Sequence, residues 1–301
     1  MKIGYPCINL TLPCRAGRTF RLKSYSDERL IDTLDGNLSC LCRILSYNAE
    51  HGILFFRITS DLVPFASHPV CTCRWQEHFA QEFHEIGAFI RDHTMRISMH
   101  PDQFIVFNSP REEVMARSIA ELAYHAEVLD LMRLDRSAKI QLHVGGIYGD
   151  KPGAMERFVS RYAGLDEAVL RRLVIENDDR LYTVADCLAI HDKTGVPVLF
   201  DTFHHLWNSS GEPVRDAVER CGATWAAKDG LPMIDYSSPN PGERPGKHPQ
   251  SIDIADFSAF IADTAPLDFD IMLEIKDKEH SALQAIDAAC TDPRFVGGGV
   301  P

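Results

Sequence analysis

The sequence has 301 residues, of which 45% are hydrophobic and 25% charged, a composition typical of globular proteins. No stretch approaches the roughly 18 consecutive apolar residues of a membrane span, and the N-terminal MKIGYPCINLTLPCR lacks the apolar region of a signal peptide, so we expect a cytoplasmic protein without membrane contact. The net charge of −12 disfavours nucleic acid as a partner, unless bound divalent cations neutralise part of the carboxylates.

Short β-rich runs alternate with longer amphipathic segments along the whole chain. The candidate strands, in chain order, are residues 2–6, 54–58, 96–99, 139–142, 172–175, 197–200, 232–234 and 270–273. Helical patterns, in which apolar residues recur every three or four positions, cover roughly 27–51, 75–93, 113–132, 153–169, 182–193, 252–263 and 279–290. This alternation of strands and helices predicts parallel pairing through right-handed crossovers.

Eight strands in a chain of this size predict a (β/α)8 TIM barrel. We therefore expect an α/β protein with a single domain over residues 1–301, ending in a short C-terminal tail from about residue 292. A doubly wound open sheet is the alternative fold, because the same alternation of elements would form it.

The nine cysteines include the two close pairs Cys40-Leu-Cys42 and Cys71-Thr-Cys73. Neither pair has the C-x₂-C spacing of a zinc ribbon. An odd number of cysteines in a chain expected to be intracellular also argues against a disulfide framework. The two pairs are therefore interpreted as reduced packing residues.

Histidine or acidic residues follow six of the predicted strands. In chain order they are His100, His143, Glu176, Asp201 with the nearby His204, Asp235 and Glu274. In a TIM barrel the carboxyl ends of the strands meet at one mouth, where catalytic groups gather. Histidine and carboxylate are ligands of Zn²⁺ and Mn²⁺, and carboxylates packed this closely need cations. The pattern predicts a site for several metal ions, which His248, in the Pro- and Gly-rich segment 237–248, would complete.

Such a site is compatible with three classes of protein. Two or three divalent ions close together activate water and neutralise phosphate during in-line displacement. One or two carboxylate-held ions serve sugar isomerisation on the same barrel, and a metal-binding scaffold protein would need only the ligands. The number of histidines favours phosphate hydrolysis.

Motifs spread in order over residues 2–285 resemble the UV damage endonuclease family. They are Gly4-Tyr-Pro-Cys-Ile-Asn-Leu-Thr-Leu12, Phe56-Arg-Ile-Thr-Ser60, Pro64-Phe-Ala-Ser-His-Pro69, Ser98-Met-His-Pro-Asp-Gln103, Leu142-His-Val-Gly145, Ile175-Glu-Asn-Asp178, Phe200-Asp-Thr-Phe-His-His205, Met233-Ile-Asp-Tyr-Ser237 and Met272-Leu-Glu-Ile-Lys276. The resemblance implies a TIM barrel akin to endonuclease IV.

The resemblance also implies an activity. The expected enzyme nicks double-stranded DNA immediately 5′ to cyclobutane pyrimidine dimers and 6-4 photoproducts, leaving 3′-hydroxyl and 5′-phosphate ends. It would be associated with the nucleoid when it acts. Three divalent ions would be bound, with manganese expected and zinc or magnesium as alternatives. The eight residues above would be their ligands, and Glu176 would also be catalytic.

Further roles follow from the resemblance alone. It places His68 near the scissile phosphate, as a catalytic residue. Four residues would contact the DNA and its damaged bases, namely Tyr5, Asn9, Gln103 and Phe104. Apart from the resemblance, Tyr5 follows the first strand and is equally compatible with a place in the core. At Phe104 the family usually has Tyr, so the stacking face is kept without the hydroxyl, and Asp102 adds a negative charge to that loop.

Strand seven departs from the family pattern at two positions. Asp235 stands where some members have His, an acceptable exchange for a hard cation, and Met233 stands where some members carry a functional Lys. Lys228 is a candidate for that vacant catalytic role. Arg57, a charge inside an otherwise apolar strand, is expected to pair with a ligand carboxylate, with contact to a phosphate as the alternative.

Overall fold

The computed structural model describes residues 1–102, 104–240, 242 and 246–297. Eight parallel strands pair in chain order and close into a barrel, with β8 paired to β1. They are β1 (Ile3–Pro6), β2 (Phe55–Ile58), β3 (Arg96–Met99), β4 (Lys139–His143), β5 (Leu173–Glu176), β6 (Val198–Asp201), β7 (Met233–Tyr236) and β8 (Asp270–Leu273). The predicted (β/α)8 barrel is confirmed, and the pairing of the first and last strands excludes the open sheet.

Helices connect the strands in the part of the chain that the structure describes. They are α1 (Asp27–Glu50), α2 (Trp75–His78), α3 (Ala80–Asp92), α4 (Glu112–Leu131), α5 (Lys151–Tyr162), α6 (Glu167–Leu170), α7 (Val184–Thr194), α8 (Thr202–Trp207), α9 (Val214–Gly222), α10 (Ile254–Thr264) and α11 (Glu279–Ala289). Local side-chain chemistry sets their starts. Ser26 caps α1 by accepting a hydrogen bond from the Arg29 amide, and Thr183 and Asp186 form a capping box at α7.

The helical patterns differ from the observed helices in three places. The predicted helix over 75–93 is the two helices α2 and α3. The predicted helix over 153–169 is two helices, because Asp166 caps the separate helix α6 by accepting from the Ala168 amide. Helices α8 and α9, which follow β6, are absent from the sequence prediction. Both are short, of six and nine residues, so few repeats of the 3.6-residue period are available to reveal them.

The two-residue period of the strands arranges the barrel interior in layers. Five buried residues form an apolar cluster separate from the large core that strands and helices share, namely Phe55, Val174, Leu199, Met233 and Met272. The last four each stand two positions before a predicted ligand, respectively Glu176, Asp201, Asp235 and Glu274. Side chains two residues apart on a strand face the same side, so these ligands lie one layer nearer the mouth. Met233 therefore fills the apolar layer beneath the site.

One cysteine prediction is wrong. Cys40 on α1 forms a disulfide with Cys14 in the loop after β1, where the Cα atoms are 5.8 Å apart. The two cysteines are 26 residues apart in sequence, so only the fold brings them together. Cys42, Cys71 and Cys73 are free, as expected.

Part of the predicted C-terminal tail is bound to the barrel. The Val296 amide donates to the Met1 carbonyl over 2.9 Å, and Arg294 donates to the carbonyls of Leu267 and Ile261. Residues 298–301 of the tail lie outside the described residues. Within the described residues, every helix is too short or too polar to cross a membrane.

Candidate metal centre

The predicted ligands converge at the mouth of the barrel. Ligand atoms of His100, His143 and Glu176 lie within 4.8 Å of one another, and so do those of Glu176, Asp201 and His204. A third group of the same kind contains Asp201, Asp235 and Glu274. The three groups form a continuous row, because Glu176 belongs to the first two and Asp201 to the last two.

Two histidines meet the buried Glu176 in the first group. The Nε2 atom of His100 is 2.8 Å from Glu176 Oε1 and hydrogen-bonded to it. The Nδ1 atom of His143 is 3.2 Å from the same oxygen but lies outside hydrogen-bonding geometry, so it is a buried nitrogen without a partner among the described residues. Burial raises the pKa of Glu176, but His143 and His100 outweigh burial and lower the pKa to about 2. The unpaired nitrogen and the ionised carboxylate fit a metal ligand set.

Asp201 and His204 form the second group with Glu176, and Asn177 holds both in place. Asp201 Oδ2 is 3.4 Å from His204 Nδ1. This nitrogen donates to the Asn177 carbonyl over 2.9 Å, so the Nε2 atom of His204 is the one that could bind a metal ion. Asn177 also exchanges two hydrogen bonds with the Asp201 backbone, at 2.9 and 3.0 Å. Burial raises the pKa of Asp201, and the nearby carboxylates of Glu274 and Glu176 raise it further, so that it is about 7 although His204 lowers it. A bound cation would relieve this cost of ionisation.

The third group is held by Arg57 of β2. Its NH2 atom is 2.7 Å from Asp235 Oδ2 and 2.7 Å from Gln141 Oε1, and its NH1 atom donates to Glu274. Gln141 in turn donates to Glu176 over 2.6 Å and to Asp235 over 2.5 Å. Burial raises the pKa of Glu274, but Arg57 brings it well below its ordinary range. The expected pairing of Arg57 with a carboxylate of the predicted ligand set is confirmed.

His248 reaches the same row of ligands from the segment 237–248. Its Nε2 atom is 3.5 Å from Glu274 Oε2, and its Nδ1 atom is 3.1 Å from Ser237 Oγ. The imidazole stacks on Phe203 of α8 with ring centroids 4.9 Å apart. Pro241 and residues 243–245 of this segment lie outside the described residues.

A cavity of ≈ 490 Å³ opens beside this row, lined by Arg57, His100, His248 and Glu274 with Cys7, Phe104 and Lys278. The Phe104 side chain is 76% exposed. Other exposed apolar side chains follow strands on the same face of the barrel, namely Ile8, Leu10, Tyr148, Leu206 and Trp207. The face of the barrel that holds the charged cavity therefore also carries several exposed apolar side chains.

Two predicted base contacts lie in the core instead of at the mouth. Tyr5 is 0% exposed, and its hydroxyl donates to Asn48 Oδ1 over 2.7 Å. Asn9 is also buried and donates to the Tyr5 hydroxyl over 2.8 Å, while its own oxygen accepts from the Leu12 amide. In this conformation both side chains fix the loop after β1, and the expected contact with bases is not available to them. Gln103 lies outside the described residues.

The two predicted catalytic residues outside the ligand set have different positions. His68 is exposed in the loop after β2, where its Nδ1 atom accepts from the Val70 amide over 3.0 Å. Lys228 precedes β7, so it lies at the amino end of the barrel, opposite the mouth. The prediction that Lys228 serves the site is therefore wrong, since the strand's length separates it from the ligands.

Gln141 and Asn177 are the site residues that sequence reasoning did not single out. Gln141 is a polar residue inside an apolar strand, two positions before His143, so alternation alone could have placed it on the inner face. Asn177 directly follows Glu176 and belongs to the motif Ile175-Glu-Asn-Asp178, but the motif alone does not indicate what its side chain contacts.

The sequence model of the family described as UV-endonuclease UvdE matches residues 1–292. A UV DNA damage endonuclease of Clostridium perfringens is 37% identical over 290 residues, covering 96% of this chain and 70% of that protein. A Bacillus cereus protein of the same name is 34% identical, covering 95% of this chain and 93% of that protein.

Solved structures give a similar result. The crystal structure of SacUVDE superposes with a TM-score of 0.93 at 43% identity, covering 98% of this chain and 100% of that chain. A D-psicose 3-epimerase superposes with a TM-score of 0.55 at 16% identity, covering 84% of this chain and 93% of that chain. The second likeness shows the shared barrel fold alone.

Proposed function

The chain belongs to the UvdE family of UV DNA damage endonucleases, and we propose that it nicks double-stranded DNA immediately 5′ to cyclobutane pyrimidine dimers and 6-4 photoproducts. The products would carry 3′-hydroxyl and 5′-phosphate ends. The observation that carries the proposal is the row of three ligand groups joined through the buried Glu176 and Asp201. Shared carboxylates are suited to holding several divalent ions at one phosphodiester.

We propose that the mouth binds three divalent ions, with manganese as the expected metal and zinc or magnesium as alternatives. Their ligands would be His100, His143, Glu176, Asp201, His204, Asp235, His248 and Glu274. Mixed imidazole and carboxylate donors suit these borderline-to-hard cations. Divalent ions in such a site supply positive charge that neutralises phosphate and Lewis acidity that activates water.

The protein's own groups would orient the ligands and the substrate. Arg57 and Gln141 hold the inner carboxylates by hydrogen bonds, and the Asn177 carbonyl fixes the tautomer of His204. At His68 the Nδ1 atom accepts from the backbone, so the proton resides on Nε2. We propose that this N–H donates to the scissile phosphate and stabilises the charge that develops on it.

The proposed metal ions would also make DNA binding by this acidic protein more favourable. Three divalent ions would change the net charge from −12 to about −6, and the added positive charge would be concentrated at the mouth. We propose that Phe104 and Gln103 recognise the lesion there, where Phe104 offers an exposed ring for stacking. A photoproduct already weakens stacking and pairing, so less energy is needed to extrude its bases.

The test uses a 5′-labelled duplex with one defined cyclobutane dimer and the same duplex without it. Metal-loaded protein is expected to cut only the damaged strand, at the phosphodiester on the 5′ side of the dimer. The nick should be sealed by DNA ligase, which requires 3′-hydroxyl and 5′-phosphate ends. Chelation should abolish cutting, and Mn²⁺ should restore it. A cut at another position, or product that cannot be ligated, would contradict the proposal.

The sugar isomerase alternative rests only on the shared barrel. It is tested by incubating the same metal-loaded protein with ketohexoses and following epimerisation by chromatography. Turnover of sugar without cutting of damaged DNA would replace the proposed function with this one.

A further inference from the structure

Lys278 immediately precedes α11 and lines the cavity that contains His248 and Glu274. Its ammonium group forms no hydrogen bond or ion pair with any residue that the structure describes. Arg57, the buried cation of this cavity, is already bound by Asp235 and Glu274. Lys278 is therefore a cation in the wall of the mouth that is available to a ligand.

The backbone of Lys278 is held in a conformation that L-residues rarely adopt, with φ 53° and ψ −115°. Such a conformation persists only where the surrounding structure enforces it, and it often marks a functional site. The next residue, the fully buried Glu279, supplies this constraint. Its Oε1 atom accepts from the amides of Leu10 and Thr11 over 2.8 and 2.7 Å, which joins the start of α11 to the loop after β1.

We propose that Lys278 binds a backbone phosphate of the DNA strand that enters the mouth, an inference that rests on the proposed function. Lysine is a point-charge binder of phosphate, and its position beside the ligand row suits a phosphodiester close to the one that is cut. The ammonium would donate to non-bridging phosphate oxygens. It would contribute to DNA binding whether or not the duplex is damaged, because phosphate contacts carry no information on the bases.

The test is the salt dependence of binding to undamaged duplex, measured by fluorescence anisotropy with metal-loaded protein. Undamaged DNA is not expected to be cut, so binding is at equilibrium. Loss of one phosphate contact in Lys278→Met should reduce the slope of log K against log salt by about 0.9. Lys278→Arg should retain the slope. Lys193→Met is the matched control, because that exposed lysine ends α7 on the opposite face and pairs with Glu156.

A second variant separates loss of charge from loss of folding. Glycine adopts a positive φ readily, so Lys278→Gly should unfold at a denaturant concentration no lower than wild type while losing the same part of the salt slope. An unchanged slope in both Lys278→Met and Lys278→Gly would overturn the inference. Failure of the wild-type protein to cut damaged duplex would instead refute the proposed function, and the slope would still decide the role of Lys278.

Discussion

Arg57 and Asp235 form an ion pair inside the mouth of the barrel and join β2 to β7. The Arg57 NH2 atom lies 2.7 Å from Asp235 Oδ2, and the two side chains are 4% and 0% exposed. Arg57 also pairs with Glu274, so one guanidinium holds two carboxylates of the ligand row. Although burial lowers the pKa of Arg57, Asp235 and Glu274 raise it above its ordinary value. Without Arg57, both carboxylates would lose their nearest compensating charge.

Replacement of Arg57 by Met should destabilise the metal-free protein by about 3–5 kcal/mol, because it leaves buried carboxylates uncompensated. The loss should be smaller in Mn²⁺-loaded protein, where bound cations compensate the same carboxylates. Urea unfolding of both forms measures the two effects. Arg171→Met is the control, since its pair with Asp130 is part-exposed and should contribute less than about 1 kcal/mol. Equal loss with and without metal would show that Arg57 does not share its carboxylates with metal ions.

Glu176→Gln should abolish cutting of damaged duplex and lower the bound metal measured by elemental analysis. The carboxylate belongs to two ligand groups, and an amide cannot supply its negative charge to either. Circular dichroism should remain that of the wild type. Glu127→Gln, at an exposed carboxylate of α4, is the matched control and should change neither quantity. Turnover and metal content close to wild type in Glu176→Gln would exclude Glu176 from the ligand set.

Phe104→Ala should weaken binding to damaged duplex by about ten- to a hundredfold, because stacking contributes roughly 1–3 kcal/mol per base. Affinity for undamaged duplex, which depends on phosphate contacts, should barely change, and metal content should be that of the wild type. Leu231→Ala, at an exposed apolar side chain before β7, is the control. An equal loss for both duplexes would assign Phe104 a structural role.

Stability should decrease at acidic pH because of His125, a fully buried residue of α4. Burial lowers its pKa from 6.5 to about 4, so the folded protein favours the neutral imidazole. The free energy of unfolding is therefore unaffected by His125 ionisation above pH 6.5. It decreases as the pH falls from 6.5 towards 4, because in this range the unfolded chain binds a proton at His125 and the folded chain does not.

Between pH 6.5 and 4 the free energy of unfolding should decrease by roughly 3 kcal/mol, because each unit of pKa shift corresponds to about 1.36 kcal/mol. Denaturant unfolding at several pH values between 7 and 4 measures it. His125→Gln should be less stable than wild type at pH 7 and should lack this part of the pH dependence. The same decrease with pH in the variant and the wild type would show that His125 is not its source.

The sequence by itself determined the strands and the end of the barrel at which the site lies. The predicted bounds of β3 and β8 coincide with the observed strands, which end on the apolar residues Met99 and Leu273 directly before the polar His100 and Glu274. The candidate ligand residues were predicted for the same reason: in parallel strands every carboxyl end faces the same mouth. This rule needs only the order of elements along the chain, which the hydrophobic pattern supplies.

Only the tertiary structure decided which side chains touch. It placed Glu176 and Asp201 in two groups of candidate ligands each, and it enclosed Tyr5 in the core. Arg57 and Asp235 are 178 positions apart, and they meet because the closed barrel brings β2 and β7 to one interior. A two-residue period fixes the side of a strand to which a side chain points, but its neighbours depend on the register of strand pairing and the closure of the barrel.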